Sequence, residues 1–192
     1  MVVRERGIAI ADEDADARAK PPDSTTRDVL FARLADAHLS RAYRLATVLL
    51  GDESEAQDAV QDAAVAAWRS FQGLRDTDLF DAWFDRILVN GCRDRLRKRA
   101  HVRFVPIEAA PEQPATDGSI AIAEHDALES ALNGLTAEQR IVVVLRYFED
   151  LSIDQIAERT RERNGTVKSR LHYGLLALRA AYDAAARPDA EA

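Results

Sequence analysis

Polar and apolar positions along this chain of 192 residues recur at helical rather than strand spacing. From Thr26 onward, Val29, Leu30, Leu34, Ala37, Leu45, Val48 and Leu49 form an imperfect helical stripe. Gly51 closes that segment as a C-terminal cap. Asp52 opens the next helix, with Glu55 three residues on as an Asp-based relative of the capping box. In that second helix Val60, Ala63, Ala64, Ala67, Trp68 and Phe71 predict one apolar face; Glu55, Gln57, Asp58, Gln61 and Asp62 predict the opposite one. Residues 72–78 form a short polar connection. A further helix starts near Leu79, with Phe80, Trp83, Ile87 and Leu88 on its apolar side, and turns basic through Arg93-Asp94-Arg95-Leu96-Arg97-Lys98-Arg99.

Over residues 101–119 the pattern stops, punctuated by Pro106, Pro111, Pro114 and Gly118. Between Phe104 and Leu135 there are six acidic residues and no Lys or Arg, which reads as an acidic linker. Helical pattern resumes over 120–132 and breaks at Asn133-Gly134. Thr136 with Gln139, and Ser152 with Gln155, are two capping boxes. Val142, Val143 and Leu145 follow the first; Ile153, Ile156 and Ala157 follow the second. A turn over residues 160–163 leads to a last helix whose predicted buried side is Val167, Leu171, Leu175, Leu176 and Leu178.

The predicted architecture is therefore all-α: two small helical domains joined by a flexible acidic linker. Residues 1–26 read as a disordered extension, 27–100 as the first domain, 101–123 as the linker, 124–184 as the second domain and 185–192 as a tail. Composition agrees: hydrophobic residues are 47% of the chain, with only 8 Gly and 6 Pro. The single cysteine, Cys92, excludes an internal disulfide framework and a Cys-based metal site, and reads as a small apolar or half-buried residue. No secretory or bilayer-spanning run is visible, so the expected compartment is the cytoplasm, without membrane attachment. His38, His101, His125 and His172 are scattered. With no P-loop, nucleophile elbow or defensible paired carboxylates, neither an enzyme nor a cofactor is expected.

Charge changes the picture by its distribution. The net charge is −7, yet residues 83–103 carry a local +5 and residues 155–180 a local +4, leaving −7 − 9 = −16 elsewhere. Two basic islands in an acidic chain point to two separate phosphate contacts. The second island sits on a helix-turn-helix layout, whose second helix would present its N-terminal residues to base edges. Asn164 would cap that helix, and Gly165 would permit close backbone approach. Thr166, Lys168, Ser169 and Arg170 are polar between apolar Val167 and Leu171, and are types that contact bases or phosphate. An ordinary amphipathic helix with a solvated basic face fits the same pattern, and the pattern alone leaves both readings open.

Gly165-Thr166-Val167-Lys168-Ser169-Arg170-Leu171, preceded by Gln139-Arg140-Ile141-Val142-Val143-Val144-Leu145-Arg146-Tyr147-Phe148, resembles region 4 of bacterial sigma factors. Leu50-Gly51-Asp52, Glu55-Ala56-Gln57-Asp58-Ala59-Val60-Gln61-Asp62 and Ala67-Trp68 resemble region 2.2. Trp83, Ile87, Val89-Asn90 and Cys92-Arg93-Asp94-Arg95-Leu96-Arg97 resemble region 2.4. Together they resemble the two-domain extracytoplasmic-function (group four) sigma factors of the sigma-70 family. That resemblance implies an alternative sigma factor that binds core RNA polymerase and directs promoter-specific initiation. Asp58, Gln61 and Asp62 would dock on the β′ clamp helices over a Val60/Trp68/Phe71 base. Asn90, Arg93, Arg95, Arg97 and Lys98 would hold the −10 element. Arg163, Asn164, Thr166, Lys168, Ser169 and Arg170 would read the −35 element, with His172 at the edge. The β flap and an anti-sigma factor are further implied partners. A solvated helix face remains an alternative for Asp58–Asp62. For Trp83 a core role is preferred to base stacking, and Phe80 and Phe84 stay open between the two. The resemblance departs at Arg161-Glu162, where the family's turn carries a Gly and an apolar residue; the turn is formed differently or the supporting helix runs longer. Two other readings are a sigma-like mimic that titrates an anti-sigma factor and a plain helix-turn-helix regulator. The retained basic islands speak against the first and the polymerase-docking look of the first domain against the second.

The charge partition makes one prediction. The isolated chain binds duplex DNA only weakly at physiological salt, with Kd near the non-specific range of roughly 10⁻⁴–10⁻⁶ M. Fluorescence anisotropy on promoter-sized duplexes checks this, and tight specific binding would contradict it.

Overall fold

In the computed structural model, residues 24–103 and 120–185 are described. The expected N-terminal extension, most of the linker and the tail lie outside them. Seven α-helices account for nearly all of the described residues: α1 (Ser24–Leu50), α2 (Glu53–Ser70), α3 (Phe80–Arg103), α4 (Ile120–Asn133), α5 (Ala137–Tyr147), α6 (Ile153–Thr160) and α7 (Asn164–Ala185). Two short 3₁₀ turns, Phe71–Gly73 and Thr77–Leu79, join α2 to α3.

The first lobe packs α1, α2 and α3 against one another. Gly51 ends α1 at φ 67°, its N–H bonded to the Thr47 carbonyl at 2.7 Å. Asp52 accepts the Glu55 N–H at 2.7 Å, which caps α2. Glu55 does not return the bond; its carboxylate takes Arg99 instead, at 3.0 Å. Phe80, fully buried, is the hub of an aromatic cluster with Phe31, Phe71, Trp83 and Phe84 at ring distances of 5.7–6.2 Å. Phe80 and Phe84 are therefore core residues, and Trp83 is half-buried against that core.

Two predicted faces are shifted. On α2 the buried side is Ala56, Ala59, Val60, Ala63 and Ala67, a seam of small residues, whereas Trp68 is 46% exposed. The alanines let helix backbones approach closely, so the seam turns inward and the Trp ring lies outside it. On α7 the buried or half-buried apolar positions are Val167, Leu171, Gly174, Leu178 and Ala181; Leu175 and Leu176 face outward. Gly174 sets that rotation. A Cβ there would stand 2.9 Å from Val143 Cγ2, so α7 crosses α5 at its closest through the glycine.

Helix α5 runs against local preference, since Val142-Val143-Val144 is a β-branched run. Both halves of its capping box are present, Thr136 with Gln139, and residues Arg140 through Leu145 are all buried. Burial on every side outweighs the propensity cost, because α5 packs on α7 and α6 and also on α1 and α3 of the first lobe. The lobes thus pack directly on each other and share one hydrophobic core.

The Ser152/Gln155 capping box opens α6, and the turn after it resolves the departure at Arg161. Helix α6 stops at Thr160, and Arg161 adopts the left-handed conformation (φ 57°, ψ 37°) that glycine would occupy without strain. The Glu162 N–H bonds the Ala157 carbonyl at 3.0 Å. The turn has the ordinary helix-ending geometry without the ordinary residue. A left-handed L-residue costs about 1–2 kcal/mol, and glycine's greater freedom when unfolded takes back about 0.5–1 kcal/mol. Arg161→Gly should therefore raise stability by roughly 0.5–1 kcal/mol, seen as a higher midpoint in urea unfolding with an unchanged slope.

Candidate nucleic-acid interface

Val167 N–H bonds the Arg163 carbonyl at 3.0 Å, so Arg163 stands at the N-cap and α7 begins with Asn164. The expected capping role of Asn164 is not what its side chain does. Its amide donates to the Asp154 carboxylate at the start of α6, pinning the two helices of the motif together. Arg170 reaches back to Glu162 at 2.9 Å and fastens α7 to the turn. Arg163, Lys168, Ser169 and His172 are exposed, Thr166 and Arg170 are half-buried, and Val167 is fully buried beneath them. The first turns of α7 thus present a row of polar side chains above the buried Val167. Lys168 makes no ion pair among the described residues.

On α3 the basic island is largely committed within the molecule. Arg95 pairs with Asp62 of α2 at 2.5 Å. Arg99 holds Glu55 and donates to the Leu50 carbonyl at 2.6 Å, a cation closing the C-terminal end of α1. Arg97 pairs with Glu138 of α5 at 2.5 Å, and Arg93 donates to the Thr160 carbonyl at 3.4 Å. Burial and the neighbouring Arg97 charge push the Arg93 guanidinium below its ordinary value. Burial would raise the Glu138 carboxyl, but the bond from Arg97 and nearby cations outweigh it and hold it low. That contribution is present at neutral pH and is lost as pH falls through the carboxylate range. Lys98 stays exposed, and Asn90 is half-buried.

On α2, Asp58, Gln61 and Asp62 are all exposed, as are Val65 (44%) and Trp68 (46%). The acidic face therefore lies beside an exposed apolar patch of Val65 and Trp68, and Trp68 is not part of a buried base beneath it.

Sequence reasoning missed a further set. Asp85 is 3% exposed and lies between Arg41 of α1 at 2.8 Å and Arg159 of α6 at 3.1 Å. Arg41 also meets Glu149, at 2.6 Å. Burial works against the Arg41 charge, but Asp85 and Glu149 outweigh it and raise its pKa. The signal was there: Asp85 sits among Phe84, Leu88, Val89 and Cys92 on the buried face of α3. An acid at such a position demands partners. Arg140, 2% exposed, similarly reaches Asn133 at 2.6 Å and the Val48 carbonyl of α1 at 3.0 Å. Among the described residues there is no group of His, Cys, Asp and Glu arranged to hold a metal ion, and no helix is long and apolar enough to cross a membrane.

A helix-turn-helix joined to a helical lobe with its own basic helix is the layout of a transcription protein with two candidate surfaces for DNA. Residues 34–102 match the family Sigma-70 region 2, and residues 125–178 match Sigma-70, region 4. The chain is 34% identical over 182 residues to the ECF RNA polymerase sigma factor SigE of Mycolicibacterium smegmatis, covering 90% of this chain and 66% of that protein. It is 32% identical over 155 residues to the RNA polymerase sigma factor SigV of Bacillus subtilis, covering 81% and 92%. Among solved structures it is similar to the sigma factor RpoE in complex with the anti-sigma factor NepR from Bartonella quintana, with TM-score 0.61 and 27% identity over 80% of this chain and 96% of that one. CnrH in complex with the cytosolic domain of CnrY matches with TM-score 0.59 and 26% identity over 82% and 90%. The chain belongs to the extracytoplasmic-function sigma factors of the sigma-70 family, which direct transcription initiation by RNA polymerase.

Cys92 is fully buried, and burial pushes its thiol up to about 12 against the opposing charge of Arg95. At pH 8 only about one part in ten thousand would be thiolate. A maleimide should label the native chain negligibly and label it fully in denaturant, as mass spectrometry will read. Rapid native labelling would contradict this.

Proposed function

We propose that the first lobe, residues 27–100, docks this chain on core RNA polymerase and holds the −10 element. The second lobe, residues 124–184, then reads the −35 element. Asp58, Gln61 and Asp62 meet a basic surface of the β′ clamp, where complementary charge favours fast and selective docking. The exposed Val65 and Trp68 beside them supply apolar contact area. Asn90 meets bases of the −10 element, while Arg93, Arg95, Arg97 and Lys98 track its backbone. Arg163, Asn164, Thr166, Lys168, Ser169 and Arg170 face the −35 element, where Lys168 and Arg170 suit guanine edges or phosphate. The β flap of the polymerase and an anti-sigma factor are further partners in this reading, and the chain acts in the cytoplasm. It supplies the promoter address while the polymerase supplies the chemistry. The observation that carries the reading is the N-terminal part of α7: exposed Lys168 and Ser169 stand beside buried Val167 with no competing internal partner among the described residues.

The test combines purified chain, core polymerase and a fragment library of the host genome, scored for specific run-off transcripts. Transcripts support the reading. None, with intact binding to an anti-sigma factor, points to a mimic; operator binding without polymerase points to a plain regulator. Lys168→Ala and Arg170→Ala should each weaken −35 binding by about 1–3 kcal/mol with core binding intact. Asp58→Arg with Asp62→Arg should do the reverse. Loss of core binding in the α7 variants would sink the division of labour.

A further inference from the structure

Two of the side chains assigned to the −35 element are each held by a carboxylate of the second lobe. Asp154, in the first turn of α6, takes the amide of Asn164, and Glu162, in the turn before α7, takes Arg170 at 2.9 Å. All four residues belong to the helix-turn-helix, so neither bond depends on how the lobes meet. Glu162 is the less expected of the two acids. It stands where the turn of the sigma family carries an apolar residue, so the fold does not need a charge there. Its backbone is fixed by the bond from its N–H to the Ala157 carbonyl, and α7 is fixed through buried Val167. The carboxylate therefore springs from a rigid point and meets Arg170 in the second turn of α7. The Glu162 and Arg170 side chains are 27% and 25% exposed, so water screens the pair only in part. Arg93 of α3 lies within electrostatic reach of both charges, yet it is Arg170 that bonds the Glu162 carboxylate.

Given the assignment of α7 to the −35 element, we propose that Glu162 is a positioning residue. It aims Arg170 at a guanine edge and keeps it from acting as a free cation toward phosphate. A guanidinium carries five N–H donors in a rigid fork, and Glu162 occupies one of them through Nη1. That bond restrains a side chain that would otherwise sample many rotamers. The rest of the fork is left to form a bidentate pair with guanine O6 and N7. The ordering is complete before DNA arrives, so less freedom is lost on binding. The acid also acts through its charge. Glu162 and Arg170 together carry no net charge. A phosphate is drawn by charge and gains little from the pair; a base edge needs aligned donors and loses little. Lys168, with no ion pair among the described residues, is left to supply the phosphate contact. Base reading and backbone attachment thus fall to different side chains of one helix.

The test compares wild type with Glu162→Leu, Glu162→Gln and Arg170→Ala. Each chain is assembled with core polymerase and offered a duplex library with a randomised window long enough for both promoter elements; the recovered duplexes are sequenced. Wild type should recover a motif containing one G·C pair that Arg170→Ala no longer selects. Glu162→Leu should lose about tenfold in discrimination at that same pair and keep the rest of the motif. Glu162→Gln keeps an oxygen for Arg170 and should retain the preference. The isolated chains are then titrated with a duplex lacking the motif over a range of salt. Both Glu162 variants should steepen the dependence of log Kd on log salt by about 0.9, because a freed Arg170 neutralises one more phosphate. A bond that only fastened α7 to the turn would, when removed, weaken every position evenly and leave that slope unchanged, which overturns the positioning role. An unaltered G·C preference in Glu162→Leu, or its loss in Glu162→Gln, overturns it as well. Should Glu162→Leu unfold, Glu162→Gln still tests the charge, and an unchanged slope there overturns the neutralisation. A motif that survives Arg170→Ala intact overturns the role of Glu162 while leaving α7 as the −35 reader. No motif from wild type overturns the −35 assignment and the role of Glu162 together.

Discussion

Within the core that the two lobes share, one buried carboxylate fixes the register in which they meet. Asp85 lies on the buried face of α3, where an ionised acid without partners would cost several kcal/mol. Arg41 satisfies it from α1, and Arg159 reaches it from α6. Once Arg159 is held there, α6 is placed against α3, and α7 follows through the Arg161 turn. The position of the DNA-reading helix in the closed molecule thus depends on a charge some 75 residues earlier in the chain. Arg140 acts in the same sense, passing its guanidinium to the Val48 carbonyl of α1.

The basic helix α3 shows a second economy. Arg93, Arg95, Arg97 and Arg99 all have internal acceptors. For these groups, phosphate binding is an exchange of partners rather than a simple gain. That exchange lowers the net yield of each contact and makes binding depend on what releases the internal acceptor. An acidic chain can carry such cations without adhering to nucleic acid at large. Lys98 and Lys168 have no internal acceptor among the described residues, so for them no such exchange is required.

Much of the local design was legible from residue types. Gly51, Asp52, the Thr136/Gln139 and Ser152/Gln155 boxes and the Asn133-Gly134 break act as cap or break in the structure, because capping is a matter of a few adjacent atoms. Faces were less legible. Trp68 and Leu176 look like core residues by hydrophobicity, yet the rotation of α2 and α7 is set by where backbones come closest, through the alanine seam and Gly174. The Arg161 turn is a third kind of case. Its left-handed residue is held by the helices on either side, so surrounding contacts override a preference worth about 1–2 kcal/mol.

The sequence by itself determined seven helices, their order and most of their ends. Each depends on interactions within a few residues or on which side chains can face water. Only the tertiary structure decided that the lobes close on each other, that Asp85 is buried between two arginines, and that much of the basic helix is already engaged. Those outcomes join positions 41, 85, 149 and 159, and no local pattern encodes which distant charge a buried carboxylate will find. The reason is physical: helix formation is local, whereas the pairing of buried charges is settled only when the packed lobes exclude water from them together.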